Sequence, residues 1–309
     1  MIRVLFAARD AAWPEWETPL RDAFADAGLD VDLARDHPAD KVDYIVLAPN
    51  GPVGDFAPFT ACKAVLNLWA GVEDVVHNPT LTQPLARMVD PGLTQGMVEY
   101  VTGHVLRHHL GLDAHLHGQD GQWRPDPPPL AADRRVGILG LGALGLACAD
   151  MLRHLGFDVA GWSRRLHDGL PFPAFAGQDG LATLLRRSDI LVLLLPLTDA
   201  TRHVLNATTL AQLPMGAVVL NPGRGGLIDD AALLAALDTG QVGHATLDTF
   251  TTEPLPPDHP FWAHPGVTVT PHIASATRPV TAARTVAENI RRGEAGEPLL
   301  HLVDRKAGY

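Results

Sequence analysis

The stretch Arg134-Arg135-Val136-Gly137-Ile138-Leu139-Gly140-Leu141-Gly142-Ala143-Leu144-Gly145 decides the fold of this chain. Residues 136–139 are a short apolar run of the kind that forms buried strands, and they lead into the pattern G-x-G-x-x-G. Residues 143–155 then carry apolar side chains at helical spacing, and a second strand is predicted over residues 158–162. A strand, a glycine turn, a helix and a second strand in this order predict a dinucleotide-binding unit.

The three glycines of the pattern have different expected roles. Gly140 permits the tight turn, Gly142 lets the backbone approach a pyrophosphate, and Gly145 lets the helix pack closely on the strand. The first N–H groups of the helix, which begins at Ala143 and Leu144, and the positive end of its dipole would face the anion. Small residues also suit any helix that packs tightly on a sheet. The glycine pattern therefore indicates a dinucleotide site only together with the two flanking strands.

The end of the second predicted strand indicates which dinucleotide is bound. NAD sites usually carry an acidic residue there, which binds the ribose 2′-hydroxyl. This chain has Ser163, Arg164 and Arg165 instead. A carboxylate would repel a 2′-phosphate, whereas a hydroxyl and two guanidinium groups would bind it. The sequence therefore favours NADPH over NADH, and the alternative is a solvated basic loop without a ligand.

Composition narrows the class of protein. The chain has 309 residues, a net charge of −11 and no long Lys/Arg run, which argues against a nucleic-acid partner. Its two cysteines, Cys62 and Cys148, lie far apart and form neither a disulfide framework nor a zinc pattern. The apolar run 190–195 is far too short to span a membrane, and the N-terminus reads as a strand. We expect a cytoplasmic location and no membrane partner.

Strands and helices alternate along the whole chain. Such alternation predicts an α/β fold with doubly wound, mostly parallel sheets, and the length of 309 residues suggests two such Rossmann-like domains. The predicted strands are residues 4–8, 31–33, 44–47, 64–68, 136–139, 158–162, 189–195 (ending at Pro196), 217–220, 244–247 and 267–270. The predicted helices are residues 15–27, 94–119, 143–155, 181–187, 229–238 and 281–292, and a proline-rich loop is predicted over residues 118–130.

A short turn of small residues follows the predicted strand 64–68. It reads Trp69-Ala70-Gly71-Val72-Glu73. Such a turn at the carboxyl end of a strand can present consecutive backbone N–H groups to an anion. The spacing alone fits an ordinary turn equally well.

Two histidines four residues apart, His104 and His108, lie in the long predicted helix. This spacing can bind a metal ion, but the chain has no glutamate in the metalloprotease pattern and no evident third ligand. The pattern favours a solvated or interface face of the helix, and no metal site is predicted.

Three polar residues lie just beyond three successive predicted strands: Arg224, Glu253 and His272. The carboxyl ends of strands in an open parallel sheet line one crevice, so these side chains are expected to meet beside the nicotinamide. Hydride transfer to a carbonyl leaves charge on oxygen, and histidine is a suitable acid near neutral pH. A carboxylate beside the imidazole favours its charged form. Arginine can bind a substrate carboxylate through two parallel hydrogen bonds.

With these residues in their order and spacing, the chain resembles the D-isomer-specific 2-hydroxyacid dehydrogenases over essentially its whole length. Within that family it most resembles the NADPH-dependent glyoxylate/hydroxypyruvate reductase A branch. The segments that carry the resemblance are Gly137–Gly145, Gly161-Trp162-Ser163-Arg164, Asn221-Pro222-Gly223-Arg224-Gly225, Leu247-Asp248-Thr249-Phe250, Glu253-Pro254-Leu255-Pro256-Pro257, Thr270-Pro271-His272-Ile273-Ala274 and Val303-Asp304-Arg305.

The resemblance implies a role for each candidate. His272 would be the acid/base, Glu253 its carboxylate partner and Arg224 the clamp on the substrate carboxylate. Asp248 would hold the nicotinamide carboxamide, and Pro196 would line the cofactor site. The implied reaction is the NADPH-dependent reduction of small 2-keto acids to 2-hydroxy acids.

The resemblance also implies an architecture. Residues 1–100 and 280–309 would form a discontinuous substrate domain, and residues 101–279 the dinucleotide-binding domain, with the active site in the cleft between them. The turn Ala70-Gly71-Val72 would then offer its N–H groups to the substrate carboxylate. A homodimer is implied as well.

Three alternatives stay open at the level of sequence. The reductase A pattern has an aromatic residue after the strand 44–47, where this chain has Ala48-Pro49-Asn50. A smaller side chain there would admit a bulkier 2-hydroxy or 2-keto acid. The chain could also be a dehydrogenase of another substrate, such as phosphoglycerate, formate or phosphite, because enzymes that act on these substrates belong to the same family. A non-catalytic protein of the same fold that senses NAD(P) would also carry the glycine turn.

Overall fold

The computed structural model describes residues 1–309, which divide into two compact units. The first unit comprises Met1–Leu93 and Ala276–Tyr309, and the second comprises Thr94–Ser275. The sequence placed these boundaries after residues 100 and 279. Each unit is an α/β structure with a parallel sheet, which confirms the predicted fold class.

The first unit is built on a five-stranded parallel sheet in the order β2-β1-β3-β4-β5. This is the second common doubly wound order, in which ligands bind at the carboxyl ends of the strands. Its elements are β1 (Ile2–Ala7), α1 (Trp13–Asp26), β2 (Val31–Ala34), β3 (Tyr44–Leu47), β4 (Ala64–Asn67), α2 (Glu73–Val76), β5 (Leu85–Ala86) and α9 (Pro279–Glu294).

Both faces of this sheet are buried at its inner strands, which explains why β3 and the first three residues of β4 read as continuous apolar runs rather than alternating ones. Helices α1 and α9 cover one face, where Leu20 and Ile290 are fully buried. Loop residues, including Phe56, and α2 cover the other face. The C-terminal segment is fixed to this unit by Arg305, whose guanidinium donates to the backbone carbonyls of Val76, Asn78 and Leu81.

The second unit is built on a seven-stranded parallel sheet in the order β12-β11-β10-β9-β6-β7-β8. The strand order reverses between β6 and β9, and such a switch point is where dinucleotides bind in this kind of sheet. Its elements are α3 (Pro91–His109, whose first three residues belong to the first unit), α4 (Leu112–His117), β6 (Arg135–Leu139), α5 (Ala143–His154), β7 (Asp158–Trp162), β8 (Ala174–Phe175), α6 (Gly177–Arg187), β9 (Ile190–Leu193), α7 (Ala207–Leu210), β10 (Ala217–Asn221), α8 (Asp230–Asp238), β11 (Val242–Leu247) and β12 (Val267–Val269).

The long helix predicted over residues 94–119 is two helices. Helix α3 ends at His109, and Gly111 adopts a left-handed conformation with φ of 64° before α4 begins. Glycine adopts this conformation without the steric cost that other residues carry, so it interrupts an otherwise helical pattern.

No helix of the chain combines the length and the apolar character needed to cross a membrane.

Candidate active site

The glycine turn after β6 has the geometry that close approach of a helix and a ligand requires. Gly140 has a φ of 108°, which side-chain-bearing residues rarely adopt. A Cβ at Gly145 would overlap the carbonyl oxygen of Gly140, so only glycine lets α5 pack this closely. A Cβ at Gly142 would instead meet no atom within 4 Å. The space beside Gly142 is therefore open on the side where the turn faces outward.

Helix α5 begins directly after this open position. Gly142 is its N-cap, with an extended conformation, and its carbonyl accepts from Leu146 N–H at 2.9 Å. The N–H groups of Ala143 and Leu144 belong to the first turn, where an α-helix has no internal acceptors. The turn thus combines unhindered space with N–H groups at the positive end of a twelve-residue helix, which suits a phosphate group.

The loop after β7 contains the three residues predicted to select the cofactor. The side chains of Arg164 and Arg165 are exposed, whereas Ser163 is buried. The Ser163 hydroxyl donates to the backbone carbonyl of Arg165 at 2.6 Å, so its proton fixes the shape of the loop. After β9, the Pro196 carbonyl accepts from the Thr201 hydroxyl at 2.7 Å, which fixes the neighbouring loop.

His272 and Glu253 form a direct pair. Nδ1 of His272 lies 2.7 Å from Oε2 of Glu253, and the other carboxylate oxygen accepts from the Phe250 N–H at 2.9 Å. The carboxylate can only accept from Nδ1 if that nitrogen carries a proton, which leaves Nε2 as the atom facing outward. The two side chains are 49% and 36% exposed, so the pair is accessible to a ligand from solvent.

The backbone at His272 is strained and is held by a buried carboxylate. Its φ is 54°, a left-handed conformation that costs a non-glycine residue about 1–2 kcal/mol. Asp248 is fully buried, and it accepts from the N–H groups of Ile273 and Ala274, each at 2.9 Å. The Thr270 hydroxyl also donates to Asp248, at 2.6 Å. Asp248 therefore fixes the residues on both sides of His272.

Arg224 lies in a loop that packs against the loop of Glu253. The side-chain amide of Asn221 donates to the Arg224 carbonyl at 2.9 Å, and Arg224 Nη1 donates to the Gly223 carbonyl at 2.7 Å. A Cβ at Gly225 would collide with the backbone of Phe250, three residues before Glu253. The strands β10, β11 and β12 are consecutive neighbours in the sheet, so the three predicted catalytic residues follow adjacent strands.

The turn after β4, in the first unit, is organised by a residue that sequence reasoning missed. Asn67 is buried, and its side-chain Nδ2 donates to the carbonyls of Trp69 and Gly71 at 2.9 and 2.8 Å. A trans peptide points its C=O and the following N–H in opposite directions. The N–H groups of Ala70 and Val72 are consequently turned away from Asn67. An asparagine at the end of an apolar strand was the signal available in the sequence.

The paired histidines of α3 contact protein groups. His108 Nε2 lies 3.0 Å from the Thr246 hydroxyl, and the His104 ring packs on Tyr100 with centroids 4.4 Å apart. Burial lowers the pKa of both histidines, that of His108 to about 3. In the structure they form part of the packing between α3 and the sheet.

Comparison with known proteins places this geometry in a family. The NAD binding domain of the D-isomer specific 2-hydroxyacid dehydrogenases matches residues 103–274. The glyoxylate/hydroxypyruvate reductase A of Klebsiella pneumoniae strain 342 is 40% identical over 257 residues, which are 81% of this chain and 82% of that protein.

Two solved structures are similar over the full chain. The D-isomer specific 2-hydroxyacid dehydrogenase from Xanthobacter autotrophicus Py2, in complex with NADPH and MES, is 42% identical with a TM-score of 0.92, covering 100% of this chain and 99% of that one. The NADPH-dependent glyoxylate/hydroxypyruvate reductase from Sinorhizobium meliloti, in complex with NADP and sulfate, is 36% identical with a TM-score of 0.86, covering 100% of both chains. The chain belongs to the family of D-isomer specific 2-hydroxyacid dehydrogenases.

Proposed function

We propose that this oxidoreductase reduces small 2-keto acids of the glyoxylate and hydroxypyruvate type to 2-hydroxy acids, with NADPH preferred over NADH. The observation that carries the proposal is the pair of His272 and Glu253, 2.7 Å apart in the same unit as the glycine turn. The predicted use of NADP is confirmed by relatives solved with NADPH or NADP. The preference for NADPH and the identity of the substrate belong to the proposal.

The residues around the glycine turn fit an NADP molecule. The open space at Gly142 and the first N–H groups of α5 would hold the pyrophosphate. Arg164 and Arg165 would hold the 2′-phosphate, on a loop whose shape Ser163 fixes. When bound, NADPH supplies the hydride that a 2-keto acid needs to become a 2-hydroxy acid.

Asp248 and Pro196 would bind the nicotinamide end of the cofactor. Three donors already reach Asp248, two on Oδ1 and one on Oδ2. A carboxylate offers about four acceptor positions, so one position on Oδ2 is left for the carboxamide. Asp248 would then hold the cofactor and the backbone around His272 with the same side chain.

His272 would donate the proton that the substrate oxygen receives. Glu253 accepts from Nδ1, which aims Nε2 outward and stabilises the charged form of the ring before the proton leaves. Arg224 would bind the substrate carboxylate and polarise the carbonyl group. The N–H groups of Ala70 and Val72, in the first unit, would bind a substrate carboxylate.

The substitution His272→Ala tests the assignment of the acid. We expect at least a hundredfold lower turnover of glyoxylate with NADPH, because general acid catalysis typically contributes 10²–10⁴-fold. The dissociation constant for NADPH should stay within about threefold, since the ring is not among the residues proposed to hold the phosphates. Unchanged turnover would refute the role of His272. NADPH binding by the wild type without turnover of any 2-keto acid would favour a sensing protein.

A bulkier substrate is the second candidate, and Ala48 is the residue that raises it. Ala48 is buried against the core of the first unit, where a larger aromatic side chain would need space. Turnover should therefore be compared on glyoxylate, hydroxypyruvate and a branched 2-keto acid. A kcat/KM for the branched acid above that for glyoxylate would replace the proposed substrate class and keep the proposed chemistry.

We also propose that the protein is a cytoplasmic homodimer. The segment 110–130 exposes large apolar side chains, including Leu116 at 66%, Trp123 at 92% and Leu130 at 73%. Exposed apolar groups of this size commonly mark interaction surfaces, and a second copy of the chain would cover them. Light scattering should give twice the chain mass of 33.1 kDa, and Trp123→Ser should weaken the dimer. A mass of one chain at micromolar concentration would contradict this assignment.

A further inference from the structure

A half-buried hydroxyl group contacts the carboxylate that holds the backbone of His272. The Thr270 hydroxyl donates its only proton to Asp248 Oδ1 at 2.6 Å. The Thr270 carbonyl accepts from the His272 N–H at 3.0 Å. Thr270 therefore contacts His272 directly through the backbone and indirectly through Asp248. Both contacts act on the residue whose left-handed conformation needs support.

A tyrosine on α3 completes this chain of hydrogen bonds. The Tyr100 hydroxyl lies 2.7 Å from Oγ1 of Thr270. Because the Thr270 proton is already donated to Asp248, Tyr100 must be the donor and Thr270 the acceptor. Burial is the main cause of the raised pKa of Tyr100, which keeps the phenol protonated as this arrangement requires. The order of donation is then fixed from Tyr100 through Thr270 to Asp248.

Helix α3 touches the His272 segment at a second point. A Cβ at Gly96 would lie 2.8 Å from the Ser275 hydroxyl oxygen, so the helix passes this segment at close range. Gly96 and Tyr100 are four residues apart and lie on the same face of α3. The helix thus packs along the segment from Thr270 to Ser275 that contains His272.

We propose that Thr270 and Tyr100 are positioning residues for the reaction, which hold the imidazole of His272 in its working orientation through Asp248. The proposal rests on the role of His272 given under Proposed function. Neither residue touches substrate or cofactor in this proposal. Each acts by fixing the donors around Asp248, and Asp248 fixes the N–H groups of Ile273 and Ala274.

The primary test is Thr270→Val, which keeps the shape of the side chain and removes the hydroxyl group. Misplaced catalytic groups commonly lose large factors in rate, so we expect kcat to fall roughly 10- to 100-fold. KM for the 2-keto acid and the dissociation constant for NADPH should stay within about threefold. Thr270→Ser keeps the hydroxyl and should restore kcat to within about threefold of the wild type. Tyr100→Phe should lower kcat by a smaller factor than Thr270→Val.

A matched control is available two residues earlier in the chain. Thr268 is also half-buried and hydrogen-bonded, but its hydroxyl pairs with Arg107 and His244 rather than with Asp248. Thr268→Val removes a comparable hydroxyl group without touching the support of His272. We expect its kcat to stay within about twofold of the wild type. An equal loss of kcat in the two valine variants would overturn the proposal, because it would indicate a merely structural effect.

A second readout is independent of turnover. The chain has 15 histidines, and the imidazole NMR signal that disappears in His272→Ala identifies His272. That signal should shift or broaden in Thr270→Val and in Tyr100→Phe, and stay in place in Thr268→Val. An unmoved His272 signal together with an unchanged kcat in Thr270→Val would overturn the proposal. Absence of turnover in the wild type would instead defeat the proposed function, while the NMR comparison would still test the orientation of His272.

Discussion

The substitution Gly142→Ala separates cofactor binding from folding. A Cβ at this position meets no protein atom within 4 Å, and the φ of −79° suits any residue. Alanine is a somewhat poorer N-cap than glycine, which costs up to about 1 kcal/mol. It also restricts the unfolded chain more than glycine does, which stabilises the folded protein by about 0.4–1 kcal/mol. We therefore expect the free energy of unfolding to change by less than about 1 kcal/mol.

The same methyl group would occupy the space proposed for the pyrophosphate. Loss of one charge-assisted hydrogen bond costs about 1.5–3 kcal/mol, which corresponds to a roughly 10- to 150-fold higher dissociation constant for NADPH. Fluorescence titration with NADPH measures the constant, and urea unfolding measures the stability. Gly145→Ala is the contrasting variant, because its Cβ overlaps the Gly140 carbonyl, and overpacking should cost about 1–3 kcal/mol of stability. If Gly142→Ala binds NADPH with the wild-type dissociation constant, the pyrophosphate does not lie beside Gly142.

Three further predictions concern other parts of the chain. Burial lowers the pKa of His108 to about 3, below the value of about 6.5 in the unfolded chain. Titration of His108 therefore leaves the free energy of unfolding unchanged above pH 6.5 and lowers it as the pH drops from 6.5 toward 3. His108→Gln keeps a partner for Thr246 and cannot titrate, so urea unfolding at pH 7.5 and 5.5 should show a smaller difference than in the wild type. Arg305→Ala removes the donors to three backbone carbonyls, and thermal unfolding should show that the free energy of unfolding falls by about 2–4 kcal/mol. A change under about 0.5 kcal/mol would contradict this. Asn67→Val releases the Gly71 carbonyl and should raise KM for the 2-keto acid about 5- to 50-fold with NADPH affinity unchanged, and an unchanged KM would disprove the role of the turn.

Much of the fold was predictable because its signals are local. The glycine turn appears as a contiguous pattern, and its steric reasons hold in the structure at Gly140 and Gly145. Parallel strands buried on both faces are continuous apolar runs, which the sequence displays directly. The places of Arg224, Glu253 and His272 after consecutive strands followed from one rule about parallel sheets. The predicted family, fold class and enzyme class are confirmed, and relatives of this chain were solved with NADPH or NADP.

The features that sequence reasoning missed depend on contacts between distant residues. Tyr100 and Thr270 are 170 residues apart, and nothing in the local pattern of either residue indicates their hydrogen bond. Asp248 was assigned only to the cofactor, whereas its three hydrogen bonds all serve the segment around His272. The break at Gly111 was overlooked because a single glycine is tolerated in helices, and only its left-handed φ shows that the helix ends.

The most direct test of the proposed reaction compares NADPH with NADH in steady-state reduction of glyoxylate and hydroxypyruvate, for the wild type and for Glu253→Gln. Glu253→Gln keeps the size of the side chain and removes the charge that stabilises the protonated imidazole. We predict rapid oxidation of NADPH, slow oxidation of NADH, and at least tenfold lower kcat in the variant with NADPH affinity unchanged. Equal kcat in the wild type and in Glu253→Gln would contradict the central claim that the pair of His272 and Glu253 delivers the proton.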